Sequence, residues 1–139
     1  MLICTEQIII LSLHQTNYDH SFYRTTMKEF LLLFRANYNE IGYVSDEKMQ
    51  EWNDNWLIWL KGLVAKNALA EGGNHLDSGG KVIRDNGVIT NGPYMERNES
   101  ILGYFLIKAN SYEHAVEFAK DCPILDGEGN SVEVREIAG

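Results

Sequence analysis

Between Gly72 and Ile107 the chain sets a Gly-Gly pair, a short basic strand, the tetrapeptide Asn91-Gly92-Pro93-Tyr94, an acidic loop and an apolar strand in close succession. The tetrapeptide constrains the backbone most. Pro93 fixes its own φ and pushes Gly92 out of helical geometry, while Gly92 reaches angles closed to other residues. A sharp turn at the foot of a half-barrel follows. Loops under such strict backbone requirements are where small domains tend to place a ligand or an interface.

Around this stretch the remaining elements fall into order. Lys28–Arg35 (KEFLLLFR) is an apolar run of strand length and reads as a central, buried strand. Asn37–Val44 is a loop. Ser45 stands before Asp46 and Glu47, an N-cap followed by two acids at the positive end of a helix that runs to about Asn67. Met49, Trp52, Trp56, Trp59 and Leu63 recur at three and four residues and form its inner face. Ala68–Gly73 is a short strand ending in the glycine pair. Lys81–Arg84 and Val88–Thr90 are strands joined by Asp85-Asn86-Gly87, a hairpin signal. Ile101–Ala109 is a second buried strand. Ser111 caps a second helix with Tyr112, Ala115, Val116 and Ala119 inward, and Cys122-Pro123 ends it. In Ser131–Ile137, Val132 and Val134 alternate with Glu133 and Arg135.

Strand, helix, short strands, strand, helix, strand is the ferredoxin-like plan: an α+β fold with both helices on one face of an antiparallel sheet. The other face is left bare. Since the two long strands are apolar on both sides, that face needs a partner, and a second copy supplies one most simply, because a two-fold interface covers both sheets. A homodimer is expected.

Composition narrows the function classes. The 139 residues suit one domain, with 45% hydrophobic and 23% charged residues as in ordinary soluble proteins. A net charge of −8 argues against nucleic acid, and Lys81 with Arg84 is too small a basic patch to reverse that. Cys4 and Cys122 lie far apart with no CxxC spacing, which points away from a disulfide framework or a zinc site and toward a reduced, cytoplasmic protein. Ile8–Leu11 is apolar but lacks a basic flank and is too short to span a bilayer. Residues 1–26 read as an N-terminal extension, and the domain as 27–139. No cofactor motif is present, and none of His14, His20, His75 and His114 has a ligand-spaced neighbour.

The placed residues resemble the YCII-related family, and within it the DGPF-domain branch. The likeness spans nearly all of Met27–Ile137: the first strand, the Trp-rich helix, Gly72-Gly73 with Leu76-Asp77, Lys81–Arg84, Asn91–Tyr94 leading to Glu96 and Glu99, Leu102–Phe105, Ala115 with Ala119, Cys122-Pro123 and Val132–Arg135. Their joint order carries the resemblance, which implies a dimeric α+β barrel. Some relatives are thought to be enzymes using a His–Asp pair with the His on the first helix. Counting back from Gly73, that position falls near Trp56, and an indole has no proton to exchange near neutral pH. The branch normally has Asp at Asn91, Phe at Tyr94 and Pro at His75. An amide at 91 is no general base. Some DGPF proteins are encoded beside extracytoplasmic-function sigma factors, which implies a regulatory setting.

The candidate site residues are Trp56, His75, Asp77, Arg84, Asn91, Gly92, Pro93, Tyr94, Glu96 and Glu99, which the turns are expected to gather at one rim of the barrel. Each has a plainer role. Tryptophans at helical spacing fill cores, a histidine after Gly-Gly sits on a surface, and Arg84 pairs with a neighbouring carboxylate for little net energy. Cys122 has no adjacent His or Lys to make its thiol reactive. Three functions stand open: a dimeric module binding a small ligand or a protein partner; an enzyme doing acid–base chemistry from His75 and Asp77; and an accessory of sigma-factor regulation.

Overall fold

The two long strands pair along their whole length and set the frame for everything else. The computed structural model describes residues 26–37 and 44–139. Residues 1–25 and 38–43, which hold the expected N-terminal extension with Cys4, His14 and His20 and most of the Asn37–Val44 loop, lie outside the described residues. The elements are β1 (Lys28–Asn37), α1 (Asp46–Ala65), β2 (Leu69–His75), β3 (Lys81–Ile83), β4 (Ile89–Asn91), β5 (Glu99–Ala109), α2 (Tyr112–Ala119), a 3₁₀ turn (Pro123–Asp126) and β6 (Ser131–Glu136). Four strands form an antiparallel sheet in the order β2-β5-β1-β6, and β3 with β4 make a separate hairpin. This is the ferredoxin-like α+β arrangement.

Alternation along β1 sorts the two faces. Phe30, Leu32, Phe34 and Ala36 are buried under the helices, and Leu31, Leu33 and Arg35 turn to the open face, where they are half-buried in the single chain. Val132 and Val134 pack inward, as expected, and Arg35 on the open face bonds Glu133 of β6 at 2.7 Å. Helix α1 is capped as the sequence predicts, with Ser45 Oγ accepting from the Lys48 N–H at 3.4 Å. It closes two residues earlier than expected. Asn67 takes a left-handed φ of 52°, and the Ala68 N–H returns to the Leu63 carbonyl at 2.8 Å, so an asparagine terminates the helix where glycine is commoner. In α2, Ser111 Oγ accepts the His114 N–H at 3.2 Å, while His114 Nδ1 accepts the Asn110 N–H at 3.2 Å. His114 is therefore a capping residue.

Three expectations fail on detail. Strand β2 does not end at the glycines: Gly72, at φ 88°, forms an irregularity through which the strand continues to His75. Met49 is 42% exposed and lies outside the core. In α2 the inner face is Ala115, Phe118 and Ala119, with Tyr112 and Val116 largely exposed. The backbone carbonyl of Phe118 accepts the buried Trp59 indole N–H at 2.9 Å, tying α2 to α1.

Candidate functional site

Trp52 and Trp56 lie one turn apart on α1, so their rings project from the same side toward the end of the sheet. They continue into a run of edge-to-face contacts. Trp52 meets Trp56 at 5.8 Å and Trp56 meets Trp59 at 5.4 Å, both near perpendicular, and Phe34 of β1 meets Trp56 at 5.2 Å. Trp59, only 8% exposed, is core. Trp52 and Trp56 are half-buried, because a cavity of about 320 Å³ opens between them and the sheet.

The sheet itself makes the room. Phe34, Gly103 and His75 stand in one row across β1, β5 and β2. Gly103 has no side chain to fill the gap between its two neighbours, and a methyl placed there would lie 2.7 Å from the Asn74 carbonyl oxygen. Phe105, Leu102 and Ile124 complete the apolar wall, and His75 is the one titratable side chain bordering it. A wider cleft of about 850 Å³ runs on from the same wall, sharing Trp52, His75, Leu102 and Ile124 and adding Met49, Leu76, Asp77 and Asn130 toward solvent.

One polar atom here is unsatisfied. The Trp56 indole N–H is shielded from water and donates to nothing among the described residues, whereas the neighbouring Trp59 N–H is bonded. Buried donors are nearly always paired, so an orphan on a residue that lines a cavity calls for a reason.

The candidate residues read from the sequence divide into two groups. Trp56, His75 and Asp77 border the cleft; Asp77 Oδ1 accepts the Ser78 N–H at 2.7 Å. Arg84, Asn91, Gly92, Pro93, Tyr94, Glu96 and Glu99 lie on or beside the β3–β4 hairpin, and none borders either cavity. Arg84 stands over the Tyr94 ring at 5.7 Å, and Asn91 Oδ1 accepts from Lys81 Nζ at 2.7 Å. Gly92 has a φ of 88°, with its N–H on the Gly80 carbonyl at 2.7 Å and Pro93 packed against Gly80. Glu96 and Glu99 exchange backbone hydrogen bonds around Arg97-Asn98, whose φ values of 53° and 66° make a tight turn leading into β5. Their turn role is plain. Phe34, Phe105 and Gly103 were not singled out from the sequence, although a glycine inside an apolar strand is a recognised sign of close approach by a ligand or backbone.

Elsewhere, burial pushes the Cys122 thiol up to about 12, and Asp126 adds to the shift, so it is not a nucleophile at neutral pH. On the open face, hydrogen bonds from Arg35 and then Arg135 hold the Glu133 carboxyl below its usual range. Among the described residues, no three His, Cys, Asp or Glu side chains are grouped to hold a metal, and no helix is long and apolar enough to cross a membrane.

Comparison with known proteins agrees with this architecture. An uncharacterized protein of Rhizobium meliloti (strain 1021) is 35% identical over 51 residues, a match covering 37% of this chain and 41% of that protein. The chain thus spans less than half the length of that curated relative. The profile of the YCII-related domain matches residues 29–138, from the second residue of β1 to two residues past β6, so the four-stranded sheet, but for Lys28, and both helices lie within it. The chain belongs to the YCII-related family.

Proposed function

We propose that this protein is a binding module of the DGPF branch that works as a homodimer and takes a small, largely apolar molecule into the cavity beneath α1, without catalysing a reaction on it. One observation carries the reading: an aromatic-walled void of ligand size is lined by Trp56, whose indole N–H is buried and orphaned. Interiors are close-packed and their donors paired. A core selected only for stability would fill the one and satisfy the other. A ligand does both, its apolar body occupying the void and an acceptor atom meeting Trp56 Nε1 after a small turn of the ring. Small-molecule sites have this composition, mainly apolar walls with few polar groups. A single titratable neighbour, His75, and a buried protonated Cys122 favour binding over chemistry.

The homodimer rests on uncovered apolar surface. Leu31 and Leu33 face outward from the middle of the sheet, and the hairpin exposes Ile83 at 72% and Ile89 at 59%. A two-stranded hairpin is marginal alone.

The test is a fragment screen on ¹⁵N-labelled protein, read on the three indole N–H signals. Hits are expected to move the Trp52 and Trp56 signals and leave Trp59, which is held by Phe118. Hits that map instead to the hairpin, or an unresponsive pair of indoles, overturn the proposal.

A further inference from the structure

Resting on the reading of the cavity as a ligand site, we infer that its ligand is an uncharged, flat aromatic molecule of roughly two fused rings that presents a hydrogen-bond acceptor, a ring nitrogen or ring carbonyl, to Trp56. The size follows from the volume. About 320 Å³ lies at the small end of the range for such sites, about 300–1,000 Å³. The shape follows from the walls. Phe34, Trp52, Trp56 and Phe105 already meet one another edge to face or tilted, and an aromatic ring extends that packing where a branched aliphatic body would not.

Charge is decided by what the inner wall lacks. The residues lining it include no Asp, Glu, Lys or Arg. An ion moved there gives up its hydration and meets no counter-charge, whereas a neutral ring gives up little. Charged side chains border only the outer cleft, and they are of both signs, Lys48 with Glu51, Asp77 and Asp126. All four are exposed to water, where opposite charges gain little from each other, and Asp77 Oδ1 already accepts the Ser78 N–H. They select neither sign. Trp56 then sets the polar handle. Its indole N–H is shielded from water and has no partner among the described residues. An indole N–H only donates, so the group that meets it must accept. A ring nitrogen or carbonyl does so without bringing a charge.

The experiment titrates probes of one skeleton into the full chain at pH 7, followed on the indole N–H signals. Quinoline and isoquinoline accept at different ring positions, naphthalene cannot accept, N-methylquinolinium is a cation and 2-naphthoate an anion. The better of the two heterocycles is expected to bind about three- to tenfold tighter than naphthalene, the gain of one hydrogen bond. It should also move the Trp56 signal downfield, which naphthalene has no acceptor to do. Both ions are expected to bind at least about tenfold more weakly than that heterocycle. In Trp56→Phe the ratio of heterocycle to naphthalene affinity should fall to about one, whatever the change does to both together. Should that variant not fold, the downfield shift in the wild type decides the same point. An ion that binds as tightly as the heterocycles, naphthalene that matches them, or a ratio that survives Trp56→Phe overturns the inference and leaves the cavity standing. If no probe moves an indole signal, both readings fall.

Discussion

Two tryptophans one helical turn apart offer a controlled comparison, since Trp59 and Trp56 share a helix, an aromatic cluster and a chemistry but differ in one hydrogen bond. Changing Trp59 to Phe removes the donor from the Phe118 carbonyl, which is then left buried without its partner. That costs about 1–3 kcal/mol. The smaller ring leaves a void of about 40 Å³ in a tight core, worth about 1 kcal/mol at roughly 24 cal/mol per Å³. The expected loss is about 2–4 kcal/mol.

Trp56→Phe deletes the same atoms with a different balance. Its N–H has no partner to lose, so removing it relieves a desolvation cost of about 1–3 kcal/mol. The lost ring volume merges with a cavity already present, which holds the packing penalty to about 1 kcal/mol or less. The variant should be neutral or stabilised. Urea denaturation of both variants gives the answer, and thermal melts should separate them by about 8 °C or more, at roughly 4 °C per kcal/mol for a domain of this size. Ligand affinity should move the other way, falling in Trp56→Phe and holding in any folded Trp59→Phe protein. Equal destabilisation of the two would mean that Trp56 Nε1 is satisfied, and the strongest support for a ligand site would be gone.

Light scattering at micromolar concentration should report twice the 15.8 kDa subunit mass, and Leu33→Glu on the open face should halve it; a wild-type monomer would end the dimer proposal. Gly103→Ala should cost about 1–3 kcal/mol by overpacking against β2 and abolish probe binding by raising the cavity floor; unchanged binding would show that the floor is not formed there. Because the Cys122 pKa is raised, from 9.0 to about 12, its contribution is complete below pH 9 and drains away as pH climbs toward 12. Relative to Cys122→Ala, the wild type should lose about 1.4 kcal/mol per pH unit across that window, up to about 4 kcal/mol; parallel stability curves would refute this.

The frame of the fold was legible because its signals are local. The apolar run of β1, the alternation in β6, the Ser45 and Ser111 caps and the Asp85–Gly87 turn each state their own geometry. Errors arose where packing decides between candidates of equal periodicity. Phe118 and Val116 both suit a helix face, and it is the packing of α2 on the sheet and α1 that buries Phe118 with Ala115 and Ala119 and leaves Val116 out. The site was half legible for the same reason. Trp56, His75 and Asp77 come together through β2, whose passage beyond Gly72 depends on a backbone irregularity. The hairpin residues carry stricter motifs, yet those motifs close turns: Gly92 and Pro93 hold Gly80, and Glu96 and Glu99 frame Arg97-Asn98. Backbone constraint marked a rigid place in the chain and said nothing of a cavity.

Helix α1 joins the two parts of this design. Its C-terminal half is fixed from three sides: Trp59 to Phe118, Leu63 buried in the core, and the left-handed stop at Asn67. Its N-terminal half carries the half-buried Trp52 and Trp56 beside a void, with Met49 exposed. Regions with few buried contacts open at lower free energy than the core they adjoin. On the proposed reading, a ligand entering under Trp56 works against the loosely held half of one helix, while Trp59 keeps the fold from following. Empty volume and an orphaned donor are both destabilising, and both lie on the side of Trp59 where the protein can bear them. Placed in the well-packed half, either would weaken the tie between the two helices; placed here, they leave that tie intact and, on the proposed reading, keep the space open for a ligand.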